Sequence, residues 1–90
     1  HDFLILLDER GRSYSTTELA DQLTRWELLG RSLVFAIGGP DGWCNDVRAR
    51  ADIQWSLSSL VFPHPLARVI VIEQLYRADS VRRGHPYDRS

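Results

Sequence analysis

Three short apolar runs, each broken by glycine or proline at its downstream end, constrain this chain more than anything else in it. Phe3-Leu-Ile-Leu-Leu-Asp8 gives way to Glu9-Arg-Gly11. Val34-Phe-Ala-Ile37 gives way to Gly38-Gly-Pro-Asp-Gly42, and the run ending at Val61 gives way to Phe62-Pro-His-Pro65. Helical patterns separate the runs, so three strands over about 3–8, 32–37 and 54–61 are expected to lie parallel, with their loops at one edge. That describes a small, mainly parallel α/β sheet with flanking helices, and in an open α/β sheet the carboxyl edge is where ligands bind.

The helices carry their own punctuation. Ser15-Thr-Thr-Glu18 reads as a capping box, in which hydroxyl and carboxylate each satisfy an orphan amide. Leu19, Leu23 and Trp26 follow at helical spacing, and Gly30 stops the helix. A short helix is expected over about 45–51. The last should start at Pro65, since proline in a first turn lacks only an amide that would go unpaired. Its apolar residues at 69–72 run around the whole circumference, which predicts burial on more than one side.

At 90 residues the chain makes one small domain. A net charge of -1 gives no bulk electrostatic sign of nucleic acid, although every basic residue is arginine, the better bidentate phosphate ligand. With one cysteine, Cys44, no disulfide can form within the chain, and a reducing, cytoplasmic compartment is expected. No apolar run reaches the ~18 residues that a membrane span needs, and no segment reads as a signal peptide. Three parallel strands leave open edges that invite pairing. The chain is therefore expected either to continue a larger protein or to complete its sheet with a partner.

Few motifs carry chemistry by themselves. Gly38-Gly39-Pro40 serves equally as a plain connector or as a place where a ligand approaches the backbone closely. It is neither a dinucleotide fingerprint nor a P-loop. The backbone of Ser58 to Pro63 belongs to a buried strand and its exit, or frames a flat apolar ligand such as an adenine ring. His64, between prolines, favours a plain role at the helix start over catalysis. Cys44 reads as structural, Trp26 and Trp55 as core, and Trp43 as the exposed tryptophan. Arg68, Arg77, Arg82, Arg83 and Arg89, interleaved with Tyr76, His85 and Tyr87, form either a solvated face or an RNA-contacting surface. No metal-ligand cluster is evident.

In combination the motifs say more. Ile37-Gly-Gly-Pro-Asp-Gly42, Trp55-Ser-Leu-Ser-Ser-Leu60, Pro63-His-Pro-Leu66, Glu73-Gln-Leu-Tyr-Arg77 and His85-Pro-Tyr87 resemble the ribosomal RNA large subunit methyltransferase H family, a branch of the SPOUT superfamily. The resemblance runs in order over nearly the whole chain. It implies a single SPOUT-type domain whose last helix threads a trefoil knot, a topology otherwise nearly absent from proteins. It also implies that the family's N-terminal part is missing here.

The implied activity is methylation of the N3 atom of a pseudouridine in 23S ribosomal RNA, free or in the assembled ribosome, by a homodimer that uses S-adenosylmethionine. Cofactor contacts are implied at Leu7, Gly39, Ser58, Ser59, Leu60, Val61, Phe62 and Pro63. Substrate-side roles fall on His64, Arg77, Tyr87 and Arg89. An imidazole at His64 could take the N3 proton, and Arg77 or Arg89 could stabilise the developing anion. Asp88 departs from the family, which usually carries a histidine there. Two alternatives stand beside this reading: a partial or inactive SPOUT domain that binds RNA or a partner, and an unrelated nucleotide-binding module.

Overall fold

A computed structural model describes residues 2–38 and 43–84. Elements run in the order β1 (Phe3–Ser13), α1 (Thr16–Leu28), β2 (Leu33–Ile37), α2 (Asn45–Arg50), β3 (Ile53–Ser56) and α3 (His64–Arg82). β1 is central and pairs in parallel with both β2 and β3, giving the sheet order β2-β1-β3. The small parallel α/β sheet read from the three apolar runs is the observed one. Among the described residues no helix is long and apolar enough to cross a membrane.

A central parallel strand is covered on both faces, so it carries a continuous apolar run rather than an alternating one. Ile5 and Leu6, neighbours pointing to opposite faces, are both fully buried. Phe3, Ile5 and Leu7 pack on the side of α1 and α3, with Leu19, Leu23, Trp26, Val71 and Ala78. Trp26 gathers the rings of Phe3, Tyr14 and Phe35 around it. On the opposite side Asp8 reaches Arg48 of α2.

The start of α1 follows its sequence signal. Ser15 Oγ accepts from the Glu18 amide at 3.1 Å, and Glu18 Oε1 accepts from the Ser15 amide at 2.7 Å. Gly30, just past the helix, has φ +71°, a conformation that glycine adopts without Cβ strain. At the far end, Arg82 of α3 bonds both Asp79 and Glu27, tying α3 to α1. That bond from Arg82 holds the Glu27 carboxyl below its ordinary range.

Four expectations need correction. β1 does not end at Asp8. Its ladder with β3 lapses between Leu7 and Arg12, both registered on Trp55, and then resumes to Ser13. Glu9-Arg-Gly11 is thus an excursion within a strand rather than its exit. β3 stops at Ser56, five residues early, because Ser56 Oγ donates to the Ser58 carbonyl and Ser58 Oγ accepts from the Leu60 amide. These short-range bonds turn the chain out of the ladder.

Helix α3 begins one residue sooner than expected, at His64, with Pro65 inside its first turn. It is also not covered all round. Leu66, Val69, Ile72 and Tyr76 are exposed, while Ala67, Val71 and Ala78 face the core. The exposed set follows helical spacing, so it forms one stripe.

Gly11 explains how β1 can rejoin β3. A Cβ there would lie 2.5 Å from both the carbonyl carbon and the oxygen of Gln54. Those are backbone atoms in a ladder and cannot swing aside. Gly11→Ala is expected to destabilise the fold by about 1–3 kcal/mol, the usual cost of overpacking. Chemical denaturation would check this, and an unchanged midpoint would show that the two strands part at little cost.

Candidate functional site

The ends of β2 and β3 converge on the excursion in the middle of β1. At the carboxyl edge of the sheet lies an open cleft of about 170 Å³, walled by Leu7 to Arg10, Ile37 and Gly38, and the segment after β3. Trp43, Arg48, Trp55 and Ala67 complete it. The excursion in β1 builds one wall by lifting residues 8–11 out of the ladder. The early end of β3 builds another, since Leu57, Ser58, Leu60, Val61 and Phe62 are free to line the cleft only because the strand has stopped.

Of the residues implied as cofactor contacts, Leu7, Ser58, Leu60, Val61 and Phe62 line this one cleft. Ser59 is exposed beside it, and Pro63 is the N-cap of α3; neither is on the lining. Gly39 lies outside the described residues. Leu60 and Val61 expose about 70% of their surface, an apolar rim of the kind that marks an interaction site.

The substrate-side residues are less gathered. His64 is exposed in the first turn of α3. Arg77 lies more than three turns further along the same helix, where Nη2 meets Glu73 Oε2 at 2.8 Å. At about 1.5 Å per residue, roughly 20 Å of helix separates His64 from Arg77. Tyr87 and Arg89 lie outside the described residues. Among the other arginines of the C-terminal third, Arg82 and Arg83 are paired with Asp79, whereas Arg68 is exposed.

Trp43, Asp8 and Arg48 line the cleft but were not among the expected site residues. Trp43, expected to be exposed, is half-buried and donates its indole N–H to the Leu7 carbonyl at 2.9 Å. Its ring lies across Gly38, where a Cβ would come within 2.9 Å of the indole. Cys44, expected to be structural, is exposed at the N-cap of α2 and makes no capping bond.

Asp8 and Arg48 form an ion pair at 2.8 Å, with only 5% of the Asp8 side chain exposed. Burial pushes the Asp8 carboxyl up, but the Arg10 amide and the Arg48 guanidinium together outweigh it and hold the group below its ordinary range. The one available signal was an acid ending an otherwise apolar strand. Its partner, forty residues away, left no mark in the pattern. Among the described residues no cluster of histidine, cysteine and carboxylate side chains suits a metal ion.

A family model described as a predicted SPOUT methyltransferase matches residues 1–88. Three similar curated proteins carry the name ribosomal RNA large subunit methyltransferase H. The protein from Thioalkalivibrio sulfidiphilus is 57% identical over 86 residues, covering 96% of this chain and 55% of the relative. That from Hahella chejuensis is 49% identical over 88 residues, covering 98% and 56%. An Acinetobacter baumannii protein is 50% identical over 90 residues, covering 100% and 57%. The chain thus spans little more than half the length of these relatives.

Proposed function

Because the chain belongs to the SPOUT methyltransferase family, we propose that it carries the donor-binding domain of an enzyme that methylates N3 of a pseudouridine in large-subunit ribosomal RNA, with S-adenosylmethionine as donor. The observation that carries this reading is the meeting of Leu7, Ser58 and Leu60 to Phe62 at one cleft.

The lining suits such a donor. Leu57, Leu60, Val61 and Phe62 offer apolar surface for a flat purine, while Ser58 and backbone groups along the cleft offer polar partners for its charged end. The volume falls below the roughly 300 Å³ of an enclosing ligand pocket, so a donor there would be only partly enclosed. Bound S-adenosylmethionine supplies an activated sulfonium methyl group, so the protein's share of the work is positioning and proton removal.

In this reading the cleft walls orient the donor. His64 takes the N3 proton as the new N–CH3 bond forms, and Arg77 stabilises the charge that develops on the base. Roughly 20 Å of helix separates the two residues, a long span for both to serve one substrate nitrogen from a single chain. The site is therefore shared between two copies, with His64 from one and Arg77 from the other. The exposed stripe Leu66, Val69, Ile72 and Tyr76 on α3 is the apolar surface available for that pairing. Tyr87 and Arg89 complete the substrate side.

Titration calorimetry tests the reading directly. S-adenosylmethionine and S-adenosylhomocysteine should bind and compete with each other, whereas adenine nucleotides should not displace them. Methyl transfer to free ribosomal RNA and to assembled ribosomes should place the label on N3 of a pseudouridine. Displacement by adenine nucleotides would favour a general nucleotide-binding module. Donor binding without transfer by the native full-length dimer would favour an inactive RNA-binding domain.

A further inference from the structure

We infer that Asp8, Arg48 and Trp43 form a two-point clasp that positions the downstream anchor of the glycine loop against the middle of β1, and so sets the shape of the donor cleft. This deepens the reading above, since it concerns the same cleft and rests on donor binding there.

Just beyond its C-terminal end, α2 is tied to β1 through Asp52 and Leu4; the helix itself is held differently. It is a short helix with no buried residue, so apolar packing does not fix its position. Two side-chain bonds reach from its segment to adjacent residues of β1. The Trp43 indole N–H donates to the Leu7 carbonyl at 2.9 Å, and Arg48 Nε donates to Asp8 Oδ2 at 2.8 Å. A further side-chain tie, from Gln54 to the Arg48 carbonyl, is long at 3.4 Å. Fixing two points of one segment on two consecutive residues defines its orientation as well as its distance.

Asp8 works in two directions. Its Oδ1 accepts from the Arg10 amide at 3.0 Å, which shapes the excursion of β1, while Oδ2 holds Arg48. Asp8 and Arg10 line one side of the cleft, and Trp43 and Arg48 line another. One nearly buried carboxylate therefore sets the spacing of both walls. Trp43 does the same from the other end, seated on Gly38 at the close of β2 while bonded to β1. The glycine loop leaves from Gly38 and returns at Trp43, so the clasp determines how far apart its two ends stand.

The residues act on the donor through the walls that they hold, which makes them positioning residues. A positioning role separates from direct contact in a double-mutant cycle, because removing either partner of one bond breaks the same clasp. The native full-length protein, with S-adenosylhomocysteine as probe, is the system for the test. Asp8→Ala and Arg48→Ala should each weaken binding by about tenfold to a hundredfold, as small misplacements of a site do. The double variant should be no worse than either single one. Arg48→Lys should recover part of the loss, and Trp43→Phe, which keeps the ring but loses the Leu7 bond, should show a loss of its own. The KM for S-adenosylmethionine should rise, while kcat at saturating donor stays within about twofold.

Folded single variants that bind like the wild type would overturn the clasp. Losses that multiply in the double variant would overturn it too, by showing that Asp8 and Arg48 each touch the ligand separately. A fall in affinity that only tracks a fall in folded fraction would reduce the pair to a stabilising one. A wild-type protein that does not bind the probe would instead overturn the donor-binding reading itself.

Discussion

Trp26→Ala should unfold this domain, or nearly so, at physiological temperature. Trp26 is 3% exposed, and its ring lies 6.0 Å from Phe3, 6.3 Å from Tyr14 and 6.3 Å from Phe35. It therefore joins α1 to two of the three strands, and Phe35 passes the contact on to Trp55 of β3 at 6.2 Å. Removing such a side chain costs about 3–5 kcal/mol in lost transfer energy and cavity formation. Small domains possess only about 5–15 kcal/mol in total. At roughly 4–8 °C per kcal/mol for a domain of this size, the melting temperature should fall on the order of 20 °C. Thermal unfolding followed by circular dichroism measures this directly. A shift of only a few degrees would mean that the neighbouring rings collapse into the space, and that Trp26 is not the hinge of the core. The cleft is built on the same strands, so donor binding should disappear over the same temperature range.

The second large effect concerns restored activity rather than lost activity. His64→Ala and Arg77→Ala should each reduce methyl transfer by about a hundredfold or more, as removal of a base or of a charge-stabilising group does. Mixing the two inactive proteins under conditions that exchange subunits should restore about a quarter of wild-type activity, given a two-fold dimer with random exchange. Half of the dimers then carry one lesion per chain. If each site takes His64 from one chain and Arg77 from the other, both lesions fall in one site of such a dimer and the second site is intact. The separation of roughly 20 Å along α3 motivates the experiment. If both residues served a site within one chain, every site in the mixture would carry a lesion, and activity would stay at the level of the parents. That outcome would sink the shared site.

Much of the fold was legible because its signals are local. Ser15 and Glu18 cap the helix that they begin, three positions apart, and depend on nothing beyond their own turn. Phe3 to Leu7 form an unbroken apolar run because the middle strand of a parallel sheet has no wet face. The arrival of β2 and β3 at one edge beside β1 follows from parallel pairing alone. Five of the eight expected cofactor contacts line the resulting cleft. Arg77 read in sequence as part of a solvated or RNA-contacting face, because no periodicity separates a paired arginine from an unpaired one. Glu73, one turn earlier on the same helix, binds it.

The parallel α/β arrangement, the start of α1 and the sheet edge that carries the cleft are all legible in the residues alone. Hydrophobic period, caps and breakers act over a few residues, and sequence spacing records them. Only the tertiary structure decided that β1 resumes beyond Gly11, that β3 stops at Ser56, that Trp43 turns inward onto Leu7, and that Asp8 finds Arg48. Each depends on atoms that meet across a long stretch of chain or on a single bond that outcompetes a ladder. Leu7 and Trp43 are 36 positions apart, and Asp8 and Arg48 are 40. No periodic pattern spans such distances; the folding of the strands beside one another brings those groups within reach.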